Sequence, residues 1–345
     1  MSEPSSSSSP SSSSSPSSSS SPLSLRETLG LREGAAAQAW FALRGDPSVP
    51  GSKLGVSSLK IFTPRLAVAT WRGRRSLGRT VPVVNLVNRT PTPVEQGWSV
   101  RVTQVRDFRG RSLTYDSHNG TDFAIPPGTV VVPSAPGRVI AIRSEYNRGG
   151  LKVYVDHGGG LLTSYNHLGR ALVAVGDDVV RGQPIALSAY SGLDALLSFP
   201  WVAPHVHYGS SLGGVLVDPF AASGEVSLWR GDDNTPRAAR AGDHGDVDRF
   251  APATTPLPEE RVQRLLDALV RAEDRDRFAA LRQREGVARC GAELWIETLV
   301  YPTRFAVADA ATLLVDAEAR RPVLDLPFSI DDFDGIAFAD DAGLR

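Results

Sequence analysis

Between Ser112 and Phe220 the chain is a succession of short apolar, β-branched runs: Val130 to Val132, Gly137 to Ile142, Leu151 to Val155, Leu161 to Tyr165, Ala171 to Val175 and Pro184 to Ser188. Gly and Pro stand between most of them, and each run is too short to form a helix with its own buried stripe. Short strands at this spacing predict an all-β barrel or sandwich. Whatever chemistry this stretch carries is then presented on strands and their connecting loops.

The flanks read differently. Seventeen of the first 24 residues are Ser, with Pro4, Pro10, Pro16 and Pro22 at regular intervals, a composition that buries too little apolar surface to fold. Ser24 is placed to cap a helix over Leu25 to about Leu43. Leu66 to Trp71, Val81 to Val87 and Val100 to Val105 read as strands of a small β unit. Its residues Arg72, Arg74, Arg75 and Arg79 bracket a turn, as an exposed hairpin edge or as a contact for an anionic polymer. Beyond the central stretch, Arg230 to Thr255 reads as a polar linker. Val262, Leu265, Leu266, Leu269 and Val270 then follow helical spacing. The expected organisation is mainly β with an α appendage: a disordered Ser/Pro tail (1–24), a basic β-rich accessory domain (25–111), a central β-sandwich or hybrid barrel (112–225), a linker (226–256) and an acidic helical C-terminal segment (257–345).

Charge and cysteine content narrow the function classes. The net charge of −1 gives no global case for nucleic-acid binding, but it hides an asymmetry. Leu25 to Gly110 holds 14 basic and 5 acidic residues, whereas Ala251 to Arg345 holds 12 and 18. Cys290 is the only cysteine, which excludes an intrachain disulfide and a Cys-rich zinc ribbon, so a metal site here must draw on His and carboxylates. No apolar run approaches the ~18–20 residues of a membrane span, and no basic then apolar leader opens the sequence.

Five of the six His residues fall in the β-rich middle: His118, His157, His167, His205 and His207. His118 and Asp122 stand four apart around Gly120, which lets the backbone turn sharply so that both side chains converge. His205 and His207 stand two apart, so a strand here projects both imidazoles from one face. His167 follows another strand signal, and His244 lies in the linker as a solvated residue. Imidazoles with one carboxylate suit zinc better than calcium or magnesium, which take all-oxygen shells.

The segments His118-Asn-Gly-Thr-Asp-Phe-Ala, Gly128-Thr-Val-Val-Val-Pro-Ser-Ala-Pro-Gly137-Arg-Val-Ile, Asp156-His-Gly-Gly-Gly and Tyr165-Asn-His-Leu resemble the lysostaphin or LytM-type zinc metalloendopeptidases. The resemblance continues through Val175 to Gln183, His205-Val-His207 and Val217-Asp-Pro219, in the family's order, and covers about Ser112 to Phe220. It implies a lysostaphin-type β-sandwich or hybrid barrel for the centre of the chain. It further implies His118, Asp122 and His207 as zinc ligands, His205 as catalytic base assisted by His167, and a structural role for His157. Zn²⁺ would activate a water for attack on a peptide bond of peptidoglycan crosslinks, and the cell envelope or the exterior is the expected location. The apolar insert Ser188 to Pro204, with Leu196, Leu197, Phe199 and Trp201, either walls the substrate groove or packs on the neighbouring segment. The runner-up is a non-catalytic module that binds peptidoglycan or activates a separate hydrolase. A biotinyl or lipoyl carrier would need a modifiable Lys at the hairpin of Val175 to Gln183, where there is none. A phosphotransfer His would not need Asp122.

Overall fold

A computed structural model describes residues 21–45, 50–243, 257–306, 310, 314 and 318–345. The Ser/Pro tail up to Ser20 and most of the C-terminal part of the expected linker, His244 included, lie outside the described residues. The helices are α1 (Leu25–Leu29), α2 (Ala35–Arg44), α3 (Pro64–Trp71), α4 (Leu193–Ser198), α5 (Glu259–Ala268) and α6 (Ala272–Val300). The strands are β1 (Thr80–Asn85), β2 (Thr121–Ala124), β3 (Val130–Val131), β4 (Gly137–Glu145), β5 (Gly150–Asp156), β6 (Leu161–Ala171) and β7 (Asp178–Val179). Six more follow: β8 (Ala186–Ser188), β9 (His205–Leu212), β10 (Val215–Leu216), β11 (Ala238–Ala239), β12 (Leu326–Ser329) and β13 (Gly335–Phe338).

Among the described residues, eleven of these strands make one mixed sheet whose main path runs β13-β1-β2-β9-β6-β5-β4-β7. Alternation decides which face of each strand goes inward, and in β4 a bulge between Val139 and Ala141 resets it, so that Val139 is buried in one core and Ala141 in another. One face closes over a core that includes Phe123, Val153, Tyr165, Tyr208 and Trp229. The other face of β4, β5 and β6 gives Ala141, Tyr154 and Leu162 to a second core with α5 and α6, where Val262, Leu265, Leu294 and Ile296 are buried. The helical stripe read from Val262 onward is therefore the packing face of α5 against the sheet.

Several local expectations are corrected. Leu66 to Trp71 is helical, not a strand: Pro64 starts α3 with its φ preset, and Leu66 and Thr70 are buried four apart. Val100 to Val105 forms no strand, because side chains take its backbone donors. Asp116 accepts from the Thr103 N–H at 2.8 Å and Ser57 from the Val102 N–H at 3.2 Å. With β1 as its only named strand, the segment 25–111 is largely helical and irregular. The single helix expected over Leu25 to Leu43 is two, because Gly30 (φ 71°) closes α1 in the left-handed region; Ser24 does cap α1. The described part of the expected linker is packed, with Trp229 fully buried and β11 paired to β12. The last segment is α-helical only to Val300, adds one 3-10 turn at Pro302–Arg304, and ends in β12 and β13.

The sheet also runs through the expected boundaries near residues 111 and 226. β1 pairs with β2 on one side and, in parallel, with β13 on the other. This meeting of the two flanks is where their opposite charges go. Arg75 contacts Asp332 at 2.7 Å, Arg79 contacts Asp334 at 2.8 Å, and Arg109 contacts Asp340 at 2.9 Å. The two more exposed pairs, Arg75–Asp332 and Arg79–Asp334, contribute little to stability. They do account for two of the four arginines around the turn, Arg75 and Arg79, as partners of the chain's own acidic end.

One buried carboxylate works against folding. Asp156, at the end of β5, is 6 % exposed, and burial pushes its carboxyl up to about 7, with the Gly158 N–H and Arg138 opposing the shift. A carboxyl raised above its unfolded value of about 3.9 costs nothing below pH 4; the penalty grows to pH 7 and approaches ~4 kcal/mol beyond it. Asp156→Asn keeps the oxygen that accepts from Gly158 and removes the charge. Thermal unfolding is expected to show the variant more stable than the parent above pH 7 and the two converging at pH 4.

Candidate metal centre

β2 and β9 are antiparallel neighbours, and their register sets Asp122 directly opposite His207, with Ala124 opposite His205. His205 and His207, two apart on β9, share one strand face. His118 arrives from the loop before β2. The three groups His118, Asp122 and His207 are buried, and their ligand atoms lie within 4.8 Å of one another. Asp122 Oδ1 lies 2.8 Å from His207 Nδ1 and 3.1 Å from His118 Nε2. Among the described residues these are the only three His, Cys, Asp or Glu side chains gathered closely enough to hold a metal ion.

The surroundings fix how each group presents itself. His118 Nδ1 donates to the Leu86 carbonyl at 2.7 Å, so Nε2 is left with its lone pair toward Asp122 and His207. The Asn85 amide donates to Asp122 Oδ2 at 2.8 Å, which holds the carboxylate plane and leaves Oδ1 for the centre. Burial alone would raise the Asp122 carboxyl, but the facing His118 and His205 imidazoles outweigh it and hold it well below the usual carboxylate range. Burial pushes the His207 imidazole down, against the pull of Asp122. A carboxylate that stays charged beside a neutral imidazole is the form in which these side chains ligate a metal. Two imidazoles and one carboxylate, with His118 and Asp122 braced from behind, fit Zn²⁺ by donor type and number.

Gly120 serves the centre by its size. Its φ lies outside the left-handed region, so the sharp turn expected of it is not its contribution. A Cβ there would lie 2.5 Å from His207 Nε2 and 2.7 Å from the Tyr208 carbonyl oxygen. The carbonyl belongs to a paired strand and cannot retreat, so His207 must move. Gly120→Ala is expected to weaken zinc binding about 10–100-fold, the effect of losing a ligand's supporting contact. Competition against a chelator of known affinity would measure it.

Two further histidines flank the trio. His205 donates from Nδ1 to the Ala203 carbonyl at 2.8 Å, and its Nε2 lies 3.7 Å from Asp122 Oδ2. His167 stands with its ring 4.9 Å from that of His205 and donates from Nδ1 to the Ser191 carbonyl at 2.8 Å. Burial, then the neighbouring His205 and His207, push its imidazole well below the ordinary value, so it is neutral at pH 7. His167 has φ 60°, a conformation uncommon for a residue with a Cβ, and the Gly149 carbonyl holds its backbone N–H at 2.8 Å. The Tyr190 ring lies 4.7 Å from that of His205 and 5.2 Å from that of His167, closing the far side.

The remaining histidine in this region stands apart. His157 is buried between the Pro136 carbonyl and the Thr163 hydroxyl, each at 2.8 Å, and burial lowers it to about 4. Asn85, the Leu86 carbonyl and Tyr190 were not singled out by sequence reasoning. β1 was legible as a strand, but nothing in its sequence says that it lies beside Asp122.

All of this opens into a groove of ≈ 640 Å³ lined by Asp122, His167, His205 and His207. The apolar insert contributes to it. α4 buries Leu193 and Ala195 and turns Asp194 and Leu197 to the groove, while Phe199 packs edge-on against Trp71 at 5.1 Å. The insert is thus both a wall of the groove and a packed contact with α3.

Residues 116–219 match the model of peptidase family M23. Over 132 residues the chain is 39% identical to peptidoglycan DD-endopeptidase ShyA of Vibrio cholerae, covering 38% of this chain and 29% of that protein. It is 34% identical over 103 residues to an uncharacterized metalloprotease of Haemophilus influenzae, covering 30% and 20%. It is 32% identical over 110 residues to the DD-carboxypeptidase/endopeptidase Mpg of Neisseria meningitidis, covering 32% and 24%. Among solved structures, the catalytic domain of lysostaphin from Staphylococcus simulans is 28% identical, covering 30% of this chain and 77% of that one, with a TM-score of 0.26. The chain spans less than a third of the length of these curated relatives. The segment 116–219, whose strands bring His118, Asp122 and His207 together beside His167 and His205, is a peptidase family M23 domain.

Proposed function

We propose that this chain is a zinc endopeptidase that hydrolyses peptide bonds in peptidoglycan crosslinks. The observation that carries the reading is the convergence of two imidazoles and one carboxylate at the floor of a groove, with two more imidazoles beside them. The names of the relatives ShyA and Mpg support the substrate class.

In this reading His118, Asp122 and His207 would hold Zn²⁺, which when bound would supply Lewis acidity for the peptide carbonyl and make water a stronger acid. The rest is the work of the chain. His205, its Nδ1–H committed to Ala203, has Nε2 available to take the proton of the attacking water and to return it to the leaving amine. His167, its Nδ1–H committed to Ser191, has only Nε2 available to the reacting groups, and burial keeps it neutral and able to accept. The groove walls, Tyr190 and α4 among them, orient the peptide and limit its water. No Ser or Cys nucleophile takes part, and Cys290 is buried in the helical core.

The test is digestion of purified peptidoglycan by the full chain, with mass analysis of what is released. Fragments bearing a new amine and a new carboxyl within the crosslinking peptide are the expected result. Stoichiometric zinc with no released fragment would overturn the reading in favour of a peptidoglycan-binding or hydrolase-activating role.

A further inference from the structure

We propose that Arg148 selects the substrate, and that the peptide accepted by this groove carries a free carboxylate near the bond to be cut. The inference rests on the endopeptidase reading and adds the chemical class of the peptide.

Arg148 sits in the tight turn between β4 and β5, where its N–H donates to the Glu145 carbonyl at 3.0 Å. The same turn is fastened to the reacting centre. The Gly149 carbonyl accepts from the His167 N–H at 2.8 Å, and the Tyr146 carbonyl accepts from the Leu193 N–H of α4 at 2.8 Å. A ligand held by Arg148 is therefore held by a turn fixed to His167 and to one wall of the groove. Arg148 itself lines that groove.

Its guanidinium carbon lies 5.7 Å from the centroid of the Trp98 ring and 5.6 Å from that of Tyr301. Aromatic neighbours attract a guanidinium while leaving its N–H edge unused. The cations nearby are neutralised: Arg143 contacts Glu297 at 3.0 Å, Lys152 pairs with Glu145, and Arg304 pairs with Glu297. Arg148 makes no ion-pair contact with a described carboxylate; its charge is felt by Asp194 in the same groove, but burial raises that carboxyl and weakens it as a partner. A cation beside a peptide groove with no carboxylate in contact matches a ligand carboxylate, whose two oxygens fit a guanidinium edge. A charged hydrogen bond of this kind discriminates roughly 10–100-fold.

The test uses the zinc-loaded full chain and two synthetic crosslinked peptides that differ only in whether the carboxyl beside the scissile amide is free or a carboxamide. The expected kcat/KM ratio, free acid over amide, is at least tenfold for the parent. It falls toward one in Arg148→Gln and is partly restored in Arg148→Lys. The same ratio in the parent and in Arg148→Gln would overturn the proposal, as would equal hydrolysis of both peptides by the parent. Titration calorimetry with the same two peptides separates this from the parent reading. Tighter binding of the free acid, abolished in Arg148→Gln, upholds Arg148 as the selecting cation even if neither peptide is cut.

Discussion

Asp122→Ala is expected to leave the protein folded but without stoichiometric zinc, and to lower release of peptidoglycan fragments by more than ~10³-fold. Asp122 is the only carboxylate in the trio, so its loss leaves two neutral imidazoles to hold a dication. The loss is larger than the ~10–100-fold of removing an outer partner, because both a donor atom and the compensating charge disappear. The Asn85 amide also loses its acceptor at 2.8 Å, and a buried donor without a partner costs about 1–3 kcal/mol. Metal analysis of the purified variant together with circular dichroism decides the matter. One zinc per chain in a folded Asp122→Ala protein would remove Asp122 from the ligand set.

His205→Ala is expected to separate binding of the metal from its use. His205 lies beside the trio rather than in it, with Nδ1 tied to the Ala203 carbonyl and Nε2 3.7 Å from Asp122. Zinc content should therefore stay close to that of the parent, while kcat falls by about 10²–10⁴, the usual contribution of a positioned general base. Metal content and initial rates on the same preparation give both readouts. Loss of zinc in His205→Ala would make it a ligand, and an unchanged rate would pass the proton to His167.

The sequence made the centre more legible than its supports. His118 with Asp122 and His205 with His207 are readable because spacing converts to geometry on a strand or a loop. A two-residue step keeps one face, and the β2 to β9 register completes the set. Asn85 and Leu86 were not readable, because their role depends on β1 lying beside β2, a pairing between strands almost forty residues apart. The β1 to β13 contact is longer still and was anticipated only as opposite net charges at the two flanks. Leu66 to Trp71 misled because Leu, Val and Thr suit a buried strand and a buried helix face alike, and the Pro64 that starts α3 also reads as strand punctuation. Trp229 in a segment read as a linker shows the same limit: polar composition does not reveal that one large residue is anchored in the main core.

The strand order has a practical meaning for anyone who wishes to move this site into another protein. The matched stretch 116–219 contains all five side chains of the candidate centre, and invites excision as a cassette. Cutting there would discard the Asn85 amide that steadies Asp122 and the Leu86 carbonyl that sets the His118 tautomer. It would also bare core surface now covered by Val81, Leu324 and Phe328. A transferable unit has to begin ahead of Thr80 and reach Phe338, so the smallest graft is more than twice the length that the family match suggests.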